Sequence, residues 1–142
     1  MCGIIAIISK NQYNDFSAQN DSQLNIDLYN GLLNLQHRGQ DAHGFLVTNN
    51  NYHSFNKINY FHYTGKGLVK NEKTYEKISK KSNYGNIGLG HVRYPTTNNK
   101  NNNDKSIQPL ISITKDCSDI ALIHNGNLYD YAGDDLKQKW DR

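Results

Sequence analysis

Leu24, Leu28, Leu32 and Leu35 recur at steps of four, four and three residues. That spacing stacks side chains on one face of an α-helix, so the pattern predicts one amphipathic helix that stops before Arg38-Gly39. Upstream, Ile4, Ile5, Ile7 and Ile8 are β-branched and nearly continuous, the pattern of a strand buried on both faces. Asn11 to Gln23 is polar and aperiodic and reads as a loop. Gly44 to Thr48, Tyr52 to Phe55 and Ile58 to Tyr63 read as short strands separated by Asn-rich turns, which suggests antiparallel hairpins. Lys70 to Lys81 fits a short helix. Ile87 to Arg93 fits a strand closed by Pro95, which has no N–H to give to a ladder. Ile107 to Ile113 and Ile120 to His124 are two further strands, and Asn127 can cap a last helix through Trp140. The order lacks the regular strand–helix–strand alternation of a doubly wound sheet and fits an α+β fold. No internal repeat is visible.

A chain of 142 residues suits one domain. The hydrophobic fraction is low at 36%, but ten Tyr, four Phe and one Trp supply enough apolar surface to exclude a wholly disordered chain. Asn is in excess at 21 residues, and its runs at Asn49 to Asn51 and Asn98 to Asn103 fall where no periodicity exists, so they read as loops. The net charge is only +3, and Lys73, Lys77, Lys80 and Lys81 share helical spacing, which describes a solvated helix face rather than a nucleic-acid site. Two cysteines, Cys2 and Cys117, with no CxxC pair, give neither a disulfide framework nor a zinc cluster and point to a reducing, cytoplasmic setting. The longest apolar run, Cys2 to Ile8, is far short of the ~20 residues that cross a bilayer, so no membrane partner is expected. Six histidines show no ligand spacing, and no metal is implied.

Four short stretches can carry chemistry. Cys2 follows only Met1, and a small second residue favours removal of the initiator, which would leave a cysteine bearing both a thiol and a free α-amine. Such an amine titrates in general at about 7.7 to 8.0, so near neutrality it can take the thiol proton and one residue supplies nucleophile and base. The bland alternative is an accidental small residue. Gln36-His37-Arg38-Gly39-Gln40-Asp41 concentrates polar groups where helix gives way to strand; a helix end with Gly39 as its left-handed cap explains it equally. Arg93 ends a strand, where it can grip a carboxylate with two parallel hydrogen bonds or form a structural ion pair. In His124-Asn125-Gly126-Asn127, Asn-Gly is a common tight turn; alternatively the Asn125 side-chain amide and the Gly126 N–H aim at one point and hold an oxyanion.

Taken together, Met1-Cys2-Gly3-Ile4, Leu35 to Gly44, Gly67-Leu68-Val69, Gly88 to Thr96, Gln108-Pro109-Leu110 and His124 to Leu128 stand in the order found in class II glutamine amidotransferases. The chain resembles this family from Cys2 to about Leu128, and within it the glutaminase domain of the amidophosphoribosyltransferases. The resemblance implies an N-terminal nucleophile hydrolase fold, a four-layer αββα sandwich with two antiparallel sheets, here incomplete at the C-terminal end. It implies that residues 1–142 are part of a type 2 glutamine amidotransferase domain with no phosphoribosyltransferase domain present. Cys2 would be the nucleophile, with Asn125 and Gly126 as the oxyanion hole. Arg93 would bind the glutamine α-carboxylate beside Thr96, and Arg38 and Gly39 would support the nucleophile. The implied reaction is hydrolysis of the glutamine side-chain amide through a γ-glutamyl thioester, releasing ammonia. No cofactor is implied in this chain; the implied partners are glutamine and a phosphoribosyltransferase half or an oligomer partner.

Several departures stand against this. The family's acidic motif after Asn-Gly-Asn, which pairs with the glutamine α-ammonium, is missing, and Asp130, Asp134, Asp135 and Asp141 lie in the wrong context to inherit its role. His43 takes the place of a small residue before Gly44 and is expected to crowd a turn there. Asn11 to Gln23 and Asn98 to Lys105 look like insertions. The reading therefore stays divided between a glutamine-hydrolysing domain and a catalytically silent remnant or glutamine-binding module.

Overall fold

A computed structural model describes residues 1–9, 21–48, 60–80, 85–94, 107–113 and 119–126. Within these, the chain runs β1 (Gly3–Ile8), α1 (Asp21–Leu35), one 3-10 turn (Gln36–Arg38), β2 (Ala42–Thr48), β3 (Tyr60–Lys66), α2 (Glu72–Ser79), β4 (Ile87–Arg93), β5 (Leu110–Ile113) and β6 (Asp119–Leu122). The first four strands form one antiparallel sheet in the order β1-β4-β2-β3, and β5 pairs with β6 in a second. The α+β class expected from the element order is the one observed.

Pleating sorts the larger sheet into two faces. Residues 88, 90 and 92 of β4 point toward α1: a Cβ on Gly88 would meet Leu24 and Leu28, and one on Gly90 would meet Leu32. Register then puts Ile5 and Ile7 of β1 and His43, Phe45 and Val47 of β2 on this face. There Ile5, Ile7, Phe45 and Val47 close a core with Leu24, Leu28, Leu32, Val69, Ile78 and Val92. The leucine spacing thus does what it predicts, since Leu28 and Leu32 are completely buried. Helix α1 starts at Asp21 rather than Leu24. Its first turn is polar and carries no apolar signal. A hydrogen bond from the buried Asn25 amide to the Ile78 carbonyl at 2.7 Å ties α1 to the end of α2.

Several expectations need correction. Strand β1 is not buried on both faces; it lies at the sheet edge, and Ile4 and Ile8 on the face away from the helices are 44% and 73% exposed. Helix α2 is shorter than Lys70 to Lys81. Asn71 caps it by accepting from the Thr74 N–H at 2.8 Å, which fixes the start that charge spacing alone left open. Lys73 and Lys80 on it are exposed, as a solvated face requires, and Lys80 pairs weakly with Glu76 at 3.5 Å. Strand β2 begins at Ala42, two residues early, and β3 runs on to Lys66. Residues 107–109 stand outside the ladder that β5 forms. Tyr52 to Phe55, the Asn-rich runs, the rest of the 11–23 segment and the helix from Asn127 lie outside the described residues. Among the described residues no helix is long and apolar enough to cross a membrane.

Candidate active site

The face of the larger sheet opposite the helices carries Cys2 and Arg93. In the β1–β4 pairing Gly3 stands opposite Val92, so Cys2, one residue earlier, reaches the level of Arg93. Alternation places Cys2 and Arg93 on the same side as His91. Cys2 is half-buried with a free thiol, and its main-chain carbonyl accepts a hydrogen bond from Arg38 Nε at 3.2 Å.

Gly39 is not a left-handed cap. Its φ and ψ of −163° and 118° are extended, and the position needs glycine for another reason. A Cβ there would lie 2.6 to 2.7 Å from the Arg93 backbone, so only a bare Cα lets the chain cross the end of β4. Two residues on, the Asp41 N–H donates to the Arg93 carbonyl at 3.2 Å and Asp41 Oδ2 lies 3.5 Å from Arg93 Nε. The polar cluster after the helix therefore wraps the end of β4, bringing Arg38, Gly39, Cys2 and Arg93 together.

Asn125 and Gly126 follow β6 and are exposed. They are linked to the larger sheet through their neighbours. Gln108 Oε1 accepts from the His124 N–H, and the Gln108 carbonyl lies against Gly44 of β2, where a Cβ would collide with it. His124 also stands close enough to His91 for the charges to interact. His91 is 1% exposed, and neither ring nitrogen has a hydrogen-bond partner among the described residues. Burial, and then the charges of Arg93 and His124, lower its pKa to about 4, so the ring is neutral near pH 7. Thr96 lies outside the described residues, as do Cys117 and the four downstream aspartates.

His43 does not crowd a turn. It sits within β2 on the helix face, fully buried, with Nδ1 3.0 Å from the Gly67 carbonyl and Nε2 2.7 Å from Thr74 Oγ1. The Nδ1–H donates to the carbonyl, and Nε2 pairs with the Thr74 hydroxyl, which also lies 3.0 Å from Asn71 Oδ1. Burial lowers its pKa, consistent with that tautomer, and the ring serves as a strut between β2 and α2. A groove of about 670 Å³ beside it, lined by Tyr63, Lys66, Lys70 and Lys73, contains none of the candidate site residues. Among the described residues no group of three or more His, Cys, Asp or Glu side chains could hold a metal ion.

Asp41, His91 and Gln108 are the site neighbours that reading the sequence did not single out. Each lies inside a quoted motif, which is the signal that could have found them.

No protein-family model matches the chain. Curated relatives do. An amidophosphoribosyltransferase from Pasteurella multocida is 34% identical over 98% of this chain and 23% of its own length. Those of Methanocaldococcus jannaschii and Saccharomyces cerevisiae are 31% and 32% identical over 98% and 93% of this chain, and 25% and 22% of their own. A solved structure described as the allosteric regulatory enzyme of purine biosynthesis superposes with a TM-score of 0.65 at 27% identity, covering 97% of this chain and 24% of that one. The chain spans about a quarter of the length of the curated relatives it matches. The expected N-terminal nucleophile hydrolase fold is borne out by that superposition and by the two antiparallel sheets. By sequence over nearly its whole length and by fold, the chain is similar to about a quarter of the length of the amidophosphoribosyltransferases.

Proposed function

We propose that this chain is part of a glutamine amidotransferase domain that hydrolyses the side-chain amide of glutamine at Cys2. The observation that supports it most is the placement of Cys2 level with Arg93 on one sheet face, with Arg38 holding the Cys2 carbonyl. A nucleophile and a carboxylate-gripping cation side by side fit an α-amino acid whose reactive group lies several bonds from its carboxylate.

After removal of Met1, the α-amine of Cys2 takes the thiol proton, directly or through a water, and the sulfur attacks the amide carbon. The carbonyl electrons move onto oxygen, where the Asn125 side-chain amide and the Gly126 N–H stabilise the charge. Collapse breaks the C–N bond, the nitrogen takes the proton from the ammonium, and ammonia leaves a γ-glutamyl thioester. Water then adds to the thioester, giving its proton to the amine; the C–S bond breaks, and glutamate leaves as the thiol is restored. Arg93, steadied by Asp41 at Nε, binds the glutamine α-carboxylate. Arg38 and Gly39 hold the nucleophile's surroundings. The ammonia acceptor is a phosphoribosyl group bound by a partner half, as the relatives' name indicates.

Glutamine-dependent release of ammonia and glutamate tests the reading. Cys2→Ser and Cys2→Ala should abolish it while glutamine still protects the fold against heat; turnover that persists in either variant overturns the nucleophile.

A further inference from the structure

The nucleophile and the oxyanion donors of the proposed reaction stand on different sheets. Cys2 precedes β1 in the four-stranded sheet, Asn125 and Gly126 follow β6 in the two-stranded one, and no backbone ladder joins the two among the described residues. Oxyanion donors act only when held within a fraction of an ångström of the developing charge. Contacts between the layers must therefore set that spacing.

Residues 108 and 109 make them. The Gln108 carbonyl rests on β2 at Gly44, the point on that strand where a missing side chain leaves room. Pro109 is fully buried, and its backbone hydrogen-bonds the His62 ring of β3. Leu46 pairs with His62 and Gly44 with Thr64, so Gly44 and His62 point from the same face, away from the helices. From this anchored peptide the Gln108 side chain reaches across to accept the His124 N–H, one residue before Asn125. The larger sheet thus reaches the Asn125–Gly126 turn through a side-chain amide.

We infer that Gln108 is a positioning residue, which sets the Asn125 and Gly126 donors relative to the sheet that carries Cys2. This rests on the glutaminase reading for its catalytic consequence but not for its structural one. Gly44 belongs to the same device, because any larger residue would lift the Gln108 carbonyl and carry the turn with it.

The test compares the full chain with Gln108→Met, which removes the acceptor at nearly constant length, and Gln108→Glu, which restores one. Two quantities are read: hydrogen exchange of the His124 amide by NMR, and alkylation of Cys2 by 6-diazo-5-oxo-L-norleucine. For alkylation the saturating rate and half-saturating concentration are measured separately, because the reagent's ketone oxygen would occupy the oxyanion position. Gln108→Met should expose the His124 amide to exchange and lower the saturating rate by about 10-fold or more, since small misplacements of reacting groups cost up to about 100-fold. The half-saturating concentration should stay within about 2-fold, because the Arg93 contact is untouched. Gln108→Glu should recover both. A His124 amide equally protected in Gln108→Met overturns the inference, as does a rate lost equally in Gln108→Glu. Should Gln108→Met not fold, Gln108→Asn, one methylene shorter, withdraws the acceptor with polarity kept. If the unaltered chain is not alkylated at all, the glutaminase reading fails, and the His124 amide still decides whether Gln108 holds the turn.

Discussion

His91 gives the sharpest thermodynamic prediction. The ring is 1% exposed on the strand that ends in Arg93, its pKa is lowered to about 4 from 6.5, and neither nitrogen has a partner among the described residues. Acidification is the perturbation. Below pH 6.5 the unfolded chain binds a proton here while the folded chain does not until about pH 4. Stability therefore falls as pH drops through that window and the loss levels off below about 4. A displacement of roughly 2.5 units at about 1.4 kcal/mol each gives at most about 3.5 kcal/mol, and about 2.5 kcal/mol at pH 4.5. His43, also depressed by burial, loses stability in the same direction, so total acid sensitivity cannot be assigned to one ring. The comparison with His91→Leu, similar in volume and without titration, isolates it. Urea unfolding of both chains at pH 7.5 and 4.5 should show a gap that shifts by about 2.5 kcal/mol in favour of the variant at low pH. At pH 7.5 the variant should lose little, because it removes two ring nitrogens that have no hydrogen bond among the described residues. A gap that is the same at both pH values refutes the buried, neutral His91.

Two further outcomes follow from packing. Leu28→Ala, at a fully buried position facing Gly88, should lower unfolding free energy by about 2 to 5 kcal/mol in denaturant titrations, whereas Ile26→Ala on the exposed face of the same helix should cost far less. Gly39→Ala should displace the end of β4, because its Cβ meets backbone and not a yielding side-chain tip. The expected result is a rise in the glutamine KM well beyond any change in melting temperature, and an unaltered KM would show that the crossing has slack.

Much of the fold was legible where local pattern and tertiary demand agree. Strand β4 is found residue for residue at Ile87–Arg93, and α1 follows from leucines that all face one sheet. The misses have non-local causes. The isoleucine run in β1 signals a strand but not its place in the sheet, and an edge strand with helices on one face buries only alternate residues. His43 reads as a turn residue because its partners, Gly67 and Thr74, lie 24 and 31 positions away. Ile107 to Pro109 looks like the start of a strand, yet its groups are spent on Gly44, His62 and His124 instead of a ladder. At the site, the motifs marked Cys2, Arg38, Gly39, Arg93, Asn125 and Gly126. That Gly39 is required by the Arg93 backbone, and not by its own dihedrals, could be learned only from the packing.

The central claim, Cys2 as the nucleophile toward glutamine, is tested most directly by the intact mass of the purified chain before and after 6-diazo-5-oxo-L-norleucine. The account predicts loss of Met1 and a single covalent adduct that maps to Cys2 and is suppressed by excess glutamine. A chain that keeps Met1, or loses it and forms no adduct, contradicts it.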